Sequence, residues 1–145
     1  MSALRKAYSV AGAILMLQFF LQLYFIAATI FTIVSANDNA KDVYSAFKNA
    51  DSFAGLHAIN GDLTALTILI MLILTFAARL SRQTKIMTGV LFALILVQAV
   101  LAHTGIAVIS ALHGINALVL IGLGGFLTGR NWAFGRRAGT VTTTP

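Results

Sequence analysis

The chain has 145 residues, of which 59% are hydrophobic and only 10% are charged, with a formal net charge of +6 and no cysteine. Soluble domains are about 45–50% apolar and about 25% charged, so this composition excludes a soluble globule, a disordered chain and a disulfide framework. No residue pattern typical of nucleic-acid binding accompanies the positive charge, so we expect no nucleic-acid partner. We expect an integral membrane protein in contact with the lipid bilayer.

Four apolar runs, each close to the length of a bilayer crossing, predict four transmembrane helices. They cover residues 7–33, 55–78, 86–104 and 111–129. The only long connection is an outward loop over residues 34–54, in which residues 43–50 have the spacing of a short helix that lies flat on the bundle. In the fourth run, Gly125 and Gly129 form a small-xxx-small pair that predicts a close helix contact, either within the bundle or with another subunit. The prediction is therefore one domain, residues 1–145, folded as an all-α integral membrane four-helix bundle.

Charged residues are distributed unevenly between the two sides of these helices. Eight basic residues lie near the N-terminus, in the second connection and after the fourth run: Arg5, Lys6, Arg79, Arg82, Lys85, Arg130, Arg136 and Arg137. All four acidic residues lie toward the other side: Asp38, Asp42, Asp51 and Asp62. The positive-inside rule then predicts a multi-pass protein of the plasma (inner) membrane with both termini in the cytoplasm.

A short segment occurs twice in the chain. Residues 56–60 read LHAIN and residues 112–116 read LHGIN, so four of the five positions match. Both copies open a helix that runs from the outside to the inside, which suggests that the bundle is built from two repeated helix pairs. Gln22 and Gln98 stand at similar depth in the first and third helices.

Each copy of the segment carries one histidine and, on the same helix face, one asparagine: His57 with Asn60, and His113 with Asn116. Gly61 adds a small residue beside the first pair. If an axis through the bundle relates the two copies, the imidazoles face each other near the outer surface. Two facing imidazoles suit the axial positions of a haem, and bundle interiors commonly hold such groups. We therefore expect a haem site lined by these five residues, with the two histidines as metal ligands.

Other interpretations of the histidines stay open. Both histidines can be interfacial residues of a cofactor-free structural subunit, and a single histidine can also hold the magnesium of a (bacterio)chlorophyll. The third histidine, His103, lies at the outer end of the third helix. His103 could form a hydrogen bond with a haem propionate, replace one of the two ligands, or line a route for quinone or protons. It could equally be an interfacial histidine without a function.

Residues 98–113, and more loosely residues 53–61, resemble one half of the heme A synthase family. That family looks like two fused four-helix bundles, each with a histidine near the outer start of its second and fourth helices. The resemblance covers most of the chain. It implies that His57 and His113 are the axial ligands of a b-type haem.

Two departures from that family bear on activity. Ala54 stands where the catalytic half would have a glutamate, and Ala58 stands where an arginine would be expected. The resemblance therefore implies haem binding without haem hydroxylation, and we expect no enzymatic activity. The prediction is a haem b protein that transfers electrons as an accessory subunit of a larger membrane complex, with other subunits or quinone as partners.

Overall fold

The computed structural model describes residues 3–39 and 41–134, and every regular element in these residues is an α-helix. The elements are α1, Ala3–Asp38; α2, Val43–Ala77; α3, Arg82–Ala102; and α4, Ala107–Arg130. Each helix is long and apolar enough, by length and composition, to cross a membrane. The predicted all-α architecture of four helices, each long and apolar enough to span a membrane, is confirmed.

The four helices form a closed ring. Each helix packs against the next one along the chain, and α1 also packs against α4. The pairs α1 with α3 and α2 with α4 are therefore diagonal partners, and in the described residues their backbones do not come into contact. Side chains alone bridge the space between α2 and α4.

The first two helices are longer than predicted. Helices α1 and α2 contain 36 and 35 residues, or about 54 and 52 Å at 1.5 Å per residue, whereas α3 and α4 contain 21 and 24. The predicted outward loop over residues 34–54 is wrong, because α1 continues to Asp38 and α2 already begins at Val43. Residues 43–54 form the first turns of α2 instead of a separate helix lying flat on the bundle. Residues 43–54 contain neither glycine nor proline, so no strong helix breaker interrupts them. A polar segment of this kind can be helical outside the lipid.

Capping residues set the new helix starts. The Asp42 carboxylate accepts hydrogen bonds from the Tyr44 backbone N–H, at 3.0 Å, and from the Ser45 hydroxyl. The bond from the Ser45 hydroxyl holds the pKa of the Asp42 carboxyl below its ordinary value. At α3 the Ser81 hydroxyl oxygen accepts the Thr84 N–H at 3.2 Å, so α3 begins four residues before the predicted residue 86. The apolar runs did not predict these helix starts, because hydropathy does not identify capping residues.

Six of the eight basic residues of the described chain gather at one end of the bundle, called here the basic end: Arg5, Lys6, Arg79, Arg82, Lys85 and Arg130. The other two, Lys41 and Lys48, lie at the opposite end. At the basic end, hydrogen bonds between the helices align their ends. The hydroxyls of Tyr8 and Thr88 share a hydrogen bond of 3.0 Å between α1 and α3, and the Ser9 hydroxyl donates to the Asn131 carbonyl at 2.9 Å. The extra length of α1 and α2 therefore projects from the opposite end, by about 15–20 Å.

The hydrophobic core is concentrated toward the basic end. Its fully buried apolar side chains are Leu15, Ile68, Met71, Leu91, Leu120 and Leu127. Toward the opposite end the apolar side chains of α4 become exposed, and Val108 and Leu118 are 81% and 68% exposed. The bundle is thus closely packed in one half and open in the half where α4 begins.

One glycine of α4 permits its close approach to α1. A Cβ atom at Gly124 would lie 2.8 Å from Cε2 of Phe19 and 3.3 Å from a methyl carbon of Leu15. Within the bundle the predicted contact at Gly129 is wrong, because a Cβ there would meet no heavy atom within 4 Å. A contact of Gly129 with another subunit stays a prediction. The spacing of small residues identified the helix but not the glycine that faces its neighbour.

Gly124→Val should destabilise the bundle, because its methyl groups would enter the space of Phe19. Overpacking of this kind costs about 1–3 kcal/mol. Gly122→Val is the matched control, since a Cβ at Gly122 meets nothing within 4 Å and the change in helix propensity is the same. Thermal unfolding in detergent checks this, and equal unfolding midpoints for the two variants would contradict the α1–α4 contact.

Candidate site between the second and fourth helices

Two imidazoles meet across the bundle in its open half. His57 on α2 and His113 on α4 have ring centroids 6.2 Å apart, and their planes are inclined at 56°. Both residues are partly buried. Since α2 and α4 are diagonal helices without backbone contact, the two rings occupy the space on the axis of the bundle.

Each imidazole is fixed by the preceding helix. Nδ1 of His57 donates to the backbone carbonyl of Gln22 at 3.3 Å, and Nδ1 of His113 donates to the backbone carbonyl of Gln98 at 3.2 Å. A carbonyl oxygen only accepts, so each Nδ1 carries a hydrogen. In the neutral ring the lone pair is then on Nε2, the nitrogen with which a histidine binds a metal or accepts a proton.

About one helical turn after each histidine, an asparagine side chain joins the two helices of the pair by a hydrogen bond. Nδ2 of Asn60 donates to the backbone carbonyl of Gln18 at 2.9 Å, and Nδ2 of Asn116 donates to that of Leu94, also at 2.9 Å. In both helix pairs the accepting carbonyl lies four residues before the one that accepts from the histidine. The structure thus places these asparagines between helices, where they hold the histidine-bearing helix in register.

The two helix pairs differ in their glutamine side chains. Oε1 of Gln98 accepts a hydrogen bond from Nδ2 of Asn116 at 2.7 Å. Oε1 of Gln18 and Oε1 of Gln22 are buried, and within the described residues they have no hydrogen-bond partner. Gly61 lies against Gln22, since a Cβ there would be 3.1 Å from Nε2 of that residue. Gly61 therefore makes room for a side chain of α1.

His103 occupies a different position. It is the C-cap residue of α3, its side chain is exposed, and its Nδ1 donates to the backbone carbonyl of Ala99 at 2.8 Å. This contact ties the ring to its own helix, whereas the rings of His57 and His113 are tied to neighbouring helices. The structure therefore brings together two of the three histidines singled out from the sequence.

The distance between the two imidazole centroids can be compared with the distance expected for two imidazoles that bind the same metal. A metal–imidazole bond is about 2.0–2.1 Å, so two imidazoles on opposite sides of one metal have ring centroids about 6 Å apart. The measured 6.2 Å fits this value. In the described residues no group of three or more His, Asp or Glu side chains is placed to hold a metal ion. Two imidazoles suit a metal that brings its own equatorial ligands, as the iron of a haem does.

Sequence reasoning missed the partners of the imidazoles. Those partners are main-chain carbonyls, and every residue of a helix has one. The sole signal in the sequence was that Gln22 and Gln98 stand at similar depth, but that observation points to their side chains. Which carbonyl lies opposite an imidazole depends on helix rotation and register.

Over residues 44–105, less than half of its length, the chain matches a family of unknown function (DUF6220). The matched segment spans nearly all of α2 and all of α3, and it includes His57 but not His113. Searches of the curated proteins and of the solved structures gave no match. These comparisons show no link to the heme A synthase family.

Asn60→Ala should lower the stability of the bundle, because it removes the buried hydrogen bond between α1 and α2. Interhelical hydrogen bonds in membranes contribute about 0.6–2 kcal/mol. Asn49→Ala is the control, since Asn49 is an exposed residue of the same helix. Thermal unfolding in detergent measures the difference, and an Asn60→Ala protein as stable as the control would show that this bond holds nothing in place.

Proposed function

We propose that this chain is a b-type haem protein in which His57 and His113 hold the iron from opposite sides. The observation that carries the proposal is the imidazole pair itself, 6.2 Å apart between diagonal helices. Each ring has its Nδ1 engaged by a carbonyl, so Nε2 is the nitrogen that remains for a ligand. The expected function is electron transfer as an accessory subunit of a larger membrane complex.

The residues around the imidazoles have positioning roles in this proposal. The carbonyls of Gln22 and Gln98 hold the rings in one tautomer and one orientation, and such outer contacts also raise the basicity of a ligating nitrogen. Asn60 and Asn116 keep each histidine in register with its carbonyl. When bound, haem would supply reversible one-electron chemistry, and His57 and His113 would be the residues that hold it.

Small residues follow both histidines along the chain. Ala58 and Gly114, which follow the two histidines, are small and exposed, and a Cβ at Gly114 would meet nothing within 4 Å. The apolar side chains of α4 near this level are also exposed, as with Ile115 at 62%. The proposal places the apolar macrocycle of the haem beside this open half of the bundle.

Origin and orientation form part of the same proposal. The matching histidine and asparagine bonds in the two helix pairs support an internal repeat, with an axis along the membrane normal. The basic end is assigned to the cytoplasm by the positive-inside rule, which places both termini inside and the imidazoles toward the outer side of the plasma (inner) membrane. Electrons then enter and leave through neighbouring subunits or through quinone.

The purified full-length protein should show a Soret band and, on reduction, a sharpened α band, with one haem per chain. His57→Ala and His113→Ala should each abolish or strongly shift these bands, because each removes one axial ligand. His103→Ala is the matched control and should retain the spectrum, since that ring is tied to its own helix. Absorption spectra together with iron content make the measurement.

Three results would contradict the proposal, the first two by excluding haem and the third by excluding the assigned ligands. A folded but colourless protein would favour the cofactor-free structural subunit. An extracted pigment containing magnesium would favour the (bacterio)chlorophyll interpretation. Loss of the bands in His103→Ala as well as in the other two variants would show that the histidines act through folding and not as ligands, and circular dichroism of all three variants separates these cases.

A further inference from the structure

A second site lies at the basic end, far from the imidazole pair. A cavity of about 150 Å³ opens between the start of α1, the turn after α2 and the residues that follow α4. We call it the basic-end pocket, and the residues lining it include Arg5, Leu80, Arg130, Asn131, Trp132 and Ala133. Tyr8 lines it as well, so two arginines, three residues with other polar groups and two apolar residues surround one small space.

One wall of the basic-end pocket is built by tertiary hydrogen bonds. The Ser9 side chain is fully buried; its hydroxyl donates to the Asn131 carbonyl at 2.9 Å and accepts the Ala133 N–H at 2.8 Å. The Thr84 hydroxyl donates to Oδ1 of Asn131 at 3.3 Å. These bonds fold the chain after α4 back against α1 and α3, so this wall exists before any ligand arrives.

Arg130 is held in place but retains donors for a ligand. Its Nη2 donates to Oε1 of Gln83 at 2.7 Å, and its guanidinium carbon lies 5.8 Å from the centre of the Phe126 ring. A guanidinium has five N–H donors, so one bond to an amide leaves several for an anion. Arg5 contributes a second guanidinium to the same pocket.

Among the described residues, no acidic side chain lies at the basic end. The chain contains only four acidic residues, and the one nearest to the basic end along α2, Asp62, still lies 15 residues before the end of that helix at Ala77. That separation corresponds to about 22 Å along a helix. No Asp side chain of the described residues therefore neutralises the two arginines, and the pocket favours an external anion.

We propose that the basic-end pocket binds the phosphate of an anionic phospholipid, with Arg5 and Arg130 as the phosphate-binding residues. Guanidinium groups recognise phosphate oxygens by paired hydrogen bonds, and basic pockets between transmembrane helices are known lipid headgroup sites. A lipid is favoured over a free phosphate because Leu80 and Ala133 add apolar surface, and because Trp132 has the amphipathic ring typical of the membrane interface. This site is independent of the proposed haem.

Native mass spectrometry of the full-length protein in detergent tests the proposal with phosphatidylglycerol and, as the neutral lipid, phosphatidylcholine. The wild type should retain one phosphatidylglycerol in preference to phosphatidylcholine at high salt, where surface attraction is screened. Arg5→Gln/Arg130→Gln should weaken this retention by about 30-fold, since each basic residue near a membrane surface contributes about fivefold. The control Lys6→Gln/Arg82→Gln removes the same charge from the same end but outside the pocket, and it should change retention less than about twofold under screening.

Two further variants keep the test decisive if the double substitution perturbs folding through the bond between Arg130 and Gln83. Arg5→Gln alone should reduce retention by about fivefold. Ser9→Ala should reduce it without any change of charge, because it releases the wall at Asn131 and Ala133, whereas Ser52→Ala, at an exposed position, should not.

Two outcomes would overturn the proposal. Equal loss in the pocket variant and in the Lys6→Gln/Arg82→Gln control would show general charge attraction without a built site. Displacement of phosphatidylglycerol by inorganic phosphate alone would show that the pocket takes a free anion and not a lipid headgroup. Neither result depends on the haem spectrum, so this proposal and the haem proposal fail separately.

Discussion

The hydrogen bonds from the two histidine Nδ1 atoms to backbone carbonyls on the preceding helices are the contacts on which the site depends. A helical carbonyl has two lone pairs, so it can accept an imidazole N–H as well as its intrahelical bond. Inside a membrane an imidazole N–H without a partner is costly, because no water is available to replace the bond. The same two bonds join α1 to α2 and α3 to α4, so ring orientation and helix pairing depend on each other.

The packing of the bundle follows from the solvent around it. Lipid is as apolar as leucine, so burial of apolar surface does not drive transmembrane helices together. Association depends on close approach and on polar contacts, which here are the glycine contact at Gly124 and the hydrogen bonds of Tyr8 and Asn60. Most of the close packing lies near the basic end. The opposite half can remain open without a hydrophobic penalty, and the imidazole pair lies in that half.

Hydropathy predicted the helices well but their ends poorly. Twenty apolar residues mark a bilayer crossing, and all four predicted crossings are present. The polar residues 34–54 were predicted as a loop because hydropathy reports where lipid is needed and not where a helix stops. In the structure Asp42 caps α2 at its true start, and both long helices continue beyond the shorter pair. The Gly125 and Gly129 spacing likewise indicated close packing on α4 without identifying Gly124 as the residue in contact.

The sequence by itself determined the number of helices, the uneven distribution of charge and the pairing of a histidine with an asparagine in two matching segments. These features are local, since each depends on residues close together along the chain. The tertiary structure alone decided that His57 and His113 meet while His103 remains on its own helix, which carbonyls accept from the rings, and that Ser9 closes a pocket against Asn131. Those contacts join residues on different helices, and they depend on the rotation and register of each helix, which local sequence does not specify.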